Sequence, residues 1–77
     1  MTSKQEMVLT TLKNHGCSTT NTLAFLINKT YQQILTPASI AGTIRPFIQR
    51  GMAANADNGF GKKVYWLTDY GKERLFK

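Results

Sequence analysis

The sequence is short of the residue types that most chemistry needs. It holds one cysteine (Cys17), one histidine (His15) and four carboxylates in 77 residues. A lone cysteine excludes an intrachain disulfide and makes a reducing compartment the simpler expectation. His15 and Cys17 lie close in sequence, but zinc takes four ligands and no other side chain joins them, so no metal site is expected. The same pair lacks a third group to orient the imidazole, and Glu6, Asp57, Asp69 and Glu73 are too scattered to form an acid–base pair. The chain is therefore expected to be no enzyme and to carry no cofactor, with Cys17 a small buried thiol beside a capped helix end.

Long apolar runs are missing as well. No stretch approaches the roughly 18 residues needed to cross a bilayer, and Met1 to Lys13 has no apolar block of the secretory kind. These absences predict a soluble, cytoplasmic protein with no membrane partner, in which the sequon Asn28-Lys29-Thr30 reads as chance. Apolar residues make up 42% and charged residues 18%, the balance of a chain that folds. Its length suits one domain, residues 1–77, around a small core. Ten Lys or Arg against four acids leave a net charge of +6, so a polyanion is the first partner to consider.

Along the chain, Ser3 and Glu6 have the spacing of a capping box, and Met7, Val8 and Leu12 give an apolar stripe, predicting a first helix from Ser3 to Asn14 closed by His15-Gly16. Ser18 or Thr19 opens a second helix to about Lys29, with Leu23, Leu26 and Ile27 inward. Thr36-Pro37 starts a third, since threonine caps and a proline in the first turn forfeits no hydrogen bond. Ile40, Ile44, Phe47 and Ile48 form its buried face, and Arg50-Gly51 ends it. Pro46 predicts a kink or an early end. Met52 to Ala56 and Lys63 to Leu67 then read as two strands around the turn Asp57-Asn58-Gly59-Phe60-Gly61, and Thr68 caps a last short helix. The fold class is α+β: three helices, a two-stranded hairpin and a short C-terminal helix.

Three helices, a hairpin and a helix follow the order of a winged helix, in which the third helix enters the DNA major groove. The stretch Thr36 to Leu75 resembles the matching stretch of MarR and PadR type transcriptional regulators on three motifs: Thr36-Pro37, Arg50-Gly51-Met52, and Tyr65-Trp66-Leu67-Thr68-Asp69-Tyr70-Gly71. The resemblance covers about half the chain directly. It implies a double-stranded DNA partner, a sequence-preferring regulatory role, and recognition-helix contacts at Ala38, Ser39, Ala41, Gly42 and Arg45. It also suggests a minimal regulator of the kind carried by phages or plasmids, or one associated with a prokaryotic nucleoid.

The chain departs from the family's pattern at Gly42, where a basic or polar residue is common. Only Ser39 and Arg45 of that set form side-chain hydrogen bonds, and bidentate reading of a base falls to Arg45 or Gln49. Lys62 and Lys63 are placed to follow the DNA backbone from the hairpin; otherwise they are a solvated pair keeping a strand edge soluble. Phe60 either stays out in solvent or folds back on the core. The competing function is a protein-interaction module, favoured by the nearly uncharged outer face of the third helix. DNA binding would instead gather Arg45, Arg50, Lys62 and Lys63 near one surface. Whether the chain pairs with a second copy or another protein stays open, because Thr68 to Lys77 is the only segment to spare for dimerisation.

Overall fold

A computed structural model of the chain describes residues 1–76; Lys77, the last residue of the Thr68 to Lys77 segment, lies outside the described residues. The elements run α1 (Ser3–His15), β1 (Ser18–Thr19), α2 (Thr20–Tyr31), α3 (Pro37–Gln49), β2 (Ala53–Asp57), β3 (Lys63–Leu67) and α4 (Asp69–Leu75). Each helix begins on a threonine whose hydroxyl accepts a backbone N–H inside the first turn: Thr2, Thr19, Thr36 and Thr68. The first cap falls one residue before the expected Ser3, because Thr2 and Gln5 carry the same spacing as Ser3 and Glu6. The Gln5 amide donates to Thr2 Oγ1 at 3.2 Å, and the Thr2 amide donates back to Gln5 Oε1 at 2.9 Å.

The three long helices close around one core: Val8, Leu9 and Leu12 from α1, Leu23, Ala24 and Ile27 from α2, and Ile40, Ile44 and Phe47 from α3. Leu26 and Ile48, expected inside, are half-buried. Ala53, Tyr65 and Leu67 close the core from the sheet, and Leu75 and Phe76 pack against it from the end of α4. α3 runs three residues past Pro46, so the early end predicted there does not occur, and the Arg50 amide still donates to the Pro46 carbonyl at 3.2 Å. Burial of Ile44 before the proline and Phe47 after it offsets the cost of about 3 kcal/mol for an interior proline.

The sheet has three strands, not two, all antiparallel in the order β1-β3-β2. The additional strand is Ser18–Thr19, pairing with Tyr65 and Val64, and it is too short to show any periodicity in the sequence. It also overturns the expected burial of Cys17. Gly16, at φ 70°, turns the chain out of α1, and in the extended backbone that follows Ser18 takes the inward position, leaving Cys17 exposed.

Two polar clamps set the frame. Asn28 on α2 grips Leu35 from both sides, its amide donating to the Leu35 carbonyl at 3.0 Å and its oxygen accepting the Leu35 amide at 2.8 Å. This fixes the passage into α3, and gives Asn28 a role unrelated to a sequon. At the other end, the Thr68 hydroxyl donates to the Gly51 carbonyl at 2.7 Å and accepts the Gly71 amide at 3.0 Å, while the Thr68 amide donates to the Met52 carbonyl at 3.1 Å. Gly71 packs so tightly there that a Cβ would lie 1.8 Å from the Met52 oxygen. The Tyr-x-Leu-Thr-x-x-Gly pattern is thus a fastening: Tyr65 and Leu67 are buried, Thr68 ties α4 to the chain leaving α3, and Gly71 permits the contact.

Candidate nucleic-acid interface

α3 turns about 100° per residue and is about 20 Å long. With Ile40, Ile44 and Phe47 committed to the core, the opposite direction is occupied by Ala38, Gly42, Arg45 and Gln49, at i, i+4, i+7 and i+11, and all four are exposed. The bound geometry of a winged helix requires such a stripe, free of packing duties and long enough to follow a groove. Nothing lies within 4 Å of a Cβ added at Gly42, so the missing side chain serves no packing need and leaves the helix backbone bare at mid-stripe.

Two residues of the expected set sit on the flanks instead. Ala41 is half-buried and packs against the core, because it lies about 100° round the wheel from Gly42 and only about 60° from Ile44, toward α3's apolar side. Ser39 is half-buried, its hydroxyl accepts from the Lys4 ammonium, and its carbonyl accepts from Thr43 Oγ1 at 2.9 Å. The contact brings a cation from α1 to the first turn of α3. No local pattern in the sequence points to Lys4, because its partner is 35 residues away.

Arg50 departs from the expected cationic surface. It follows α3, five residues beyond Arg45 and so about 140° further round. Its guanidinium lies over the Phe47 ring, 5.9 Å from the centroid, and lines a cleft with Met1, Gln5, Met52 and Leu75. Arg50 therefore belongs to the seam between α1, α3 and α4 and not to the Ala38–Gln49 stripe.

In the hairpin, β2 and β3 pair from Ala53↔Leu67 to Asp57↔Lys63. Every residue from Asn55 to Lys63 is exposed, so this end of the hairpin projects as a wing carrying Lys62 and Lys63. The turn is braced by its own polar groups: Asp57 Oδ1 accepts the Gly59 amide at 3.0 Å, Asn58 Oδ1 accepts the Phe60 amide at 2.9 Å, and the Asn58 amide donates to the Lys62 carbonyl at 2.8 Å. Phe60 at its tip is 87% exposed and does not fold back on the core. Among the described residues no group of three or more His, Cys, Asp or Glu is placed to hold a metal ion, and no helix is long and apolar enough to cross a membrane.

No family model and no curated protein matches the sequence. Solved structures do match its fold. RosR of H. salinarum superposes with a TM-score of 0.82 at 15% identity, covering 97% of this chain and 67% of that one. The adhesin competence repressor AdcR of Streptococcus pyogenes superposes at 0.71 with 23% identity, covering 95% of this chain and 51% of its own. F-93 of SSV1 gives 0.72 at 22% identity, with 95% and 74% covered. Of the three, AdcR is named a repressor, and the fold this chain shares with them is a winged helix-turn-helix. The chain spans about two thirds of RosR and half of AdcR.

Proposed function

We propose that the domain binds double-stranded DNA with sequence preference and acts as a small transcriptional regulator in the cytoplasm. α3 enters the major groove with Ala38, Gly42, Arg45 and Gln49 toward the bases, and Lys62 and Lys63 follow the backbone from the wing. Ser39, held by Lys4, and the edge of Ala41 flank that stripe. The observation that carries this reading is the exposed stripe of α3, which the core does not use, on the element that docks in helix-turn-helix proteins. The net charge of +6 supports the same partner, with Arg45, Lys62 and Lys63 of the expected cationic set to meet it and Arg50 drawn aside over Phe47. The shared fold of AdcR, a repressor by name, agrees with it. With Arg45 and Gln49 the only long polar side chains on the stripe, phosphates supply much of the affinity and direct reading is confined to few base pairs.

A protein-interaction module is the second reading, favoured by the small side chains at Ala38 and Gly42, four residues apart on an exposed face. An NMR titration with random-sequence duplex DNA separates the two. Duplex binding shifts the amides of Ala38, Gly42, Arg45 and Gln49 and of the wing together, with an affinity that falls steeply as salt rises. No shift with micromolar duplex at low salt overturns the DNA reading and leaves the protein-interaction one.

A further inference from the structure

Phe60 has no structural duty. It is absent from the core and from the side chains packed against it, and at 87% exposure it leaves an aromatic ring in water at the tip of the hairpin. The turn nevertheless braces the backbone that carries the ring. Gly59 and Gly61 on either side adopt φ of 87° and 76°, conformations open to glycine, and the Asp57 carboxylate and the Asn58 side-chain amide oxygen accept from the amides of Gly59 and Phe60. The next two residues, Lys62 and Lys63, are exposed cations. An apolar ring on a braced turn beside two exposed cations matches a surface with phosphates outside and stacked apolar faces within, which is what a duplex offers at its minor groove.

We propose that Phe60 is an apolar wedge that enters the minor groove and partly unstacks one base step, while Lys62 and Lys63 hold the flanking phosphates. The inference rests on the duplex-binding reading above and adds a second source of specificity to it. Because pyrimidine–purine steps unstack most readily, the domain favours a TA or CA/TG step beneath the wing, at a position where no side chain reads a base edge. The scarcity of long polar side chains on α3 gives this indirect reading more weight in choosing a site.

The test compares a fully paired random-sequence duplex with the same duplex carrying one central mismatch, both end-labelled so that energy transfer reports bending. A mismatch is already partly unstacked, so the wild-type protein binds it about tenfold more tightly and bends both. Phe60→Ala loses the mismatch preference and the bend, yet keeps the slope of log affinity against log salt, because no charge is removed. Phe60→Leu, which keeps an apolar wedge, retains both. Since the ring contacts nothing in the core, both variants keep the folded spectrum. Binding by the wild type without mismatch preference or bend overturns the wedge and leaves duplex binding standing. Absence of binding to either duplex overturns the duplex reading, and the wedge with it. Loss of self-association in Phe60→Ala with DNA binding unchanged makes the ring a protein contact and also overturns the wedge.

Discussion

At the root of the β2–β3 hairpin Ala53, Tyr65 and Leu67 are buried and Thr68 and Gly71 are tied to Gly51 and Met52, whereas from Asn55 to Lys63 the same hairpin is exposed throughout. The two regions answer to different demands. At the root each side chain fills a space or satisfies a backbone group that the fold cannot leave open. At the tip only Asp57, Asn58, Gly59 and Gly61 are needed to reverse the chain, so Phe60, Lys62 and Lys63 are unconstrained by folding. Stability accounts for the first set, and the proposed function has to account for the second.

The comparison is broken most directly at Gly71. A Cβ at 1.8 Å from the Met52 oxygen meets backbone, not a flexible side chain, so Gly71→Ala must push α4 away from the chain leaving α3. The expected loss is about 3 kcal/mol or more, a large share of what a domain of this size has. Urea denaturation measures it, and a midpoint equal to the wild type's would show that α4 is not fastened as described. Thr68→Ala removes the α4 cap and the bond to the Gly51 carbonyl without a clash, and should cost about 1 to 2 kcal/mol by the same measurement. A larger loss for Thr68→Ala than for Gly71→Ala would reverse the ranking of close approach over capping at this joint.

Much of the root was legible in the sequence, and less of the interface was. Thr36-Pro37, Arg50-Gly51 and Thr68 are local signals with local causes, and each marks an element boundary in the structure. The tight approach of Gly71 shows in the sequence only as a motif, since its cause is a carbonyl 19 residues earlier in the chain. The third strand and the exposure of Cys17 were hidden for a related reason: two residues carry no period, and their partner is on β3. On α3 the helical wheel separates core from solvent correctly at Ala38, Gly42, Arg45 and Gln49. It does not reveal that α1 brings Lys4 to Ser39, or that Arg50 leans on Phe47 and leaves the stripe. Periodicity reports which way a residue faces, and tertiary pairing decides what it meets there.

The smallest effect on stability belongs to the tip, where the double change Lys62→Ala with Lys63→Ala should leave the denaturation midpoint unchanged. Both side chains are exposed, and the turn between the strands is held by Asp57, Asn58 and the Lys62 backbone carbonyl, none of which the change touches. DNA binding should respond instead. If each ammonium neutralises one phosphate, the slope of log affinity against log salt becomes shallower by about 1.8, since each neutralised phosphate contributes about 0.9. Phosphates carry no sequence information, so the loss should fall alike on every duplex, in contrast to changes on the α3 stripe, which should alter the ranking of sequences. A double mutant with the affinity and slope of the wild type would show that the wing lies off the DNA. The wedge assigned to Phe60 would then fail as well, because the ring sits on the tip of that same wing.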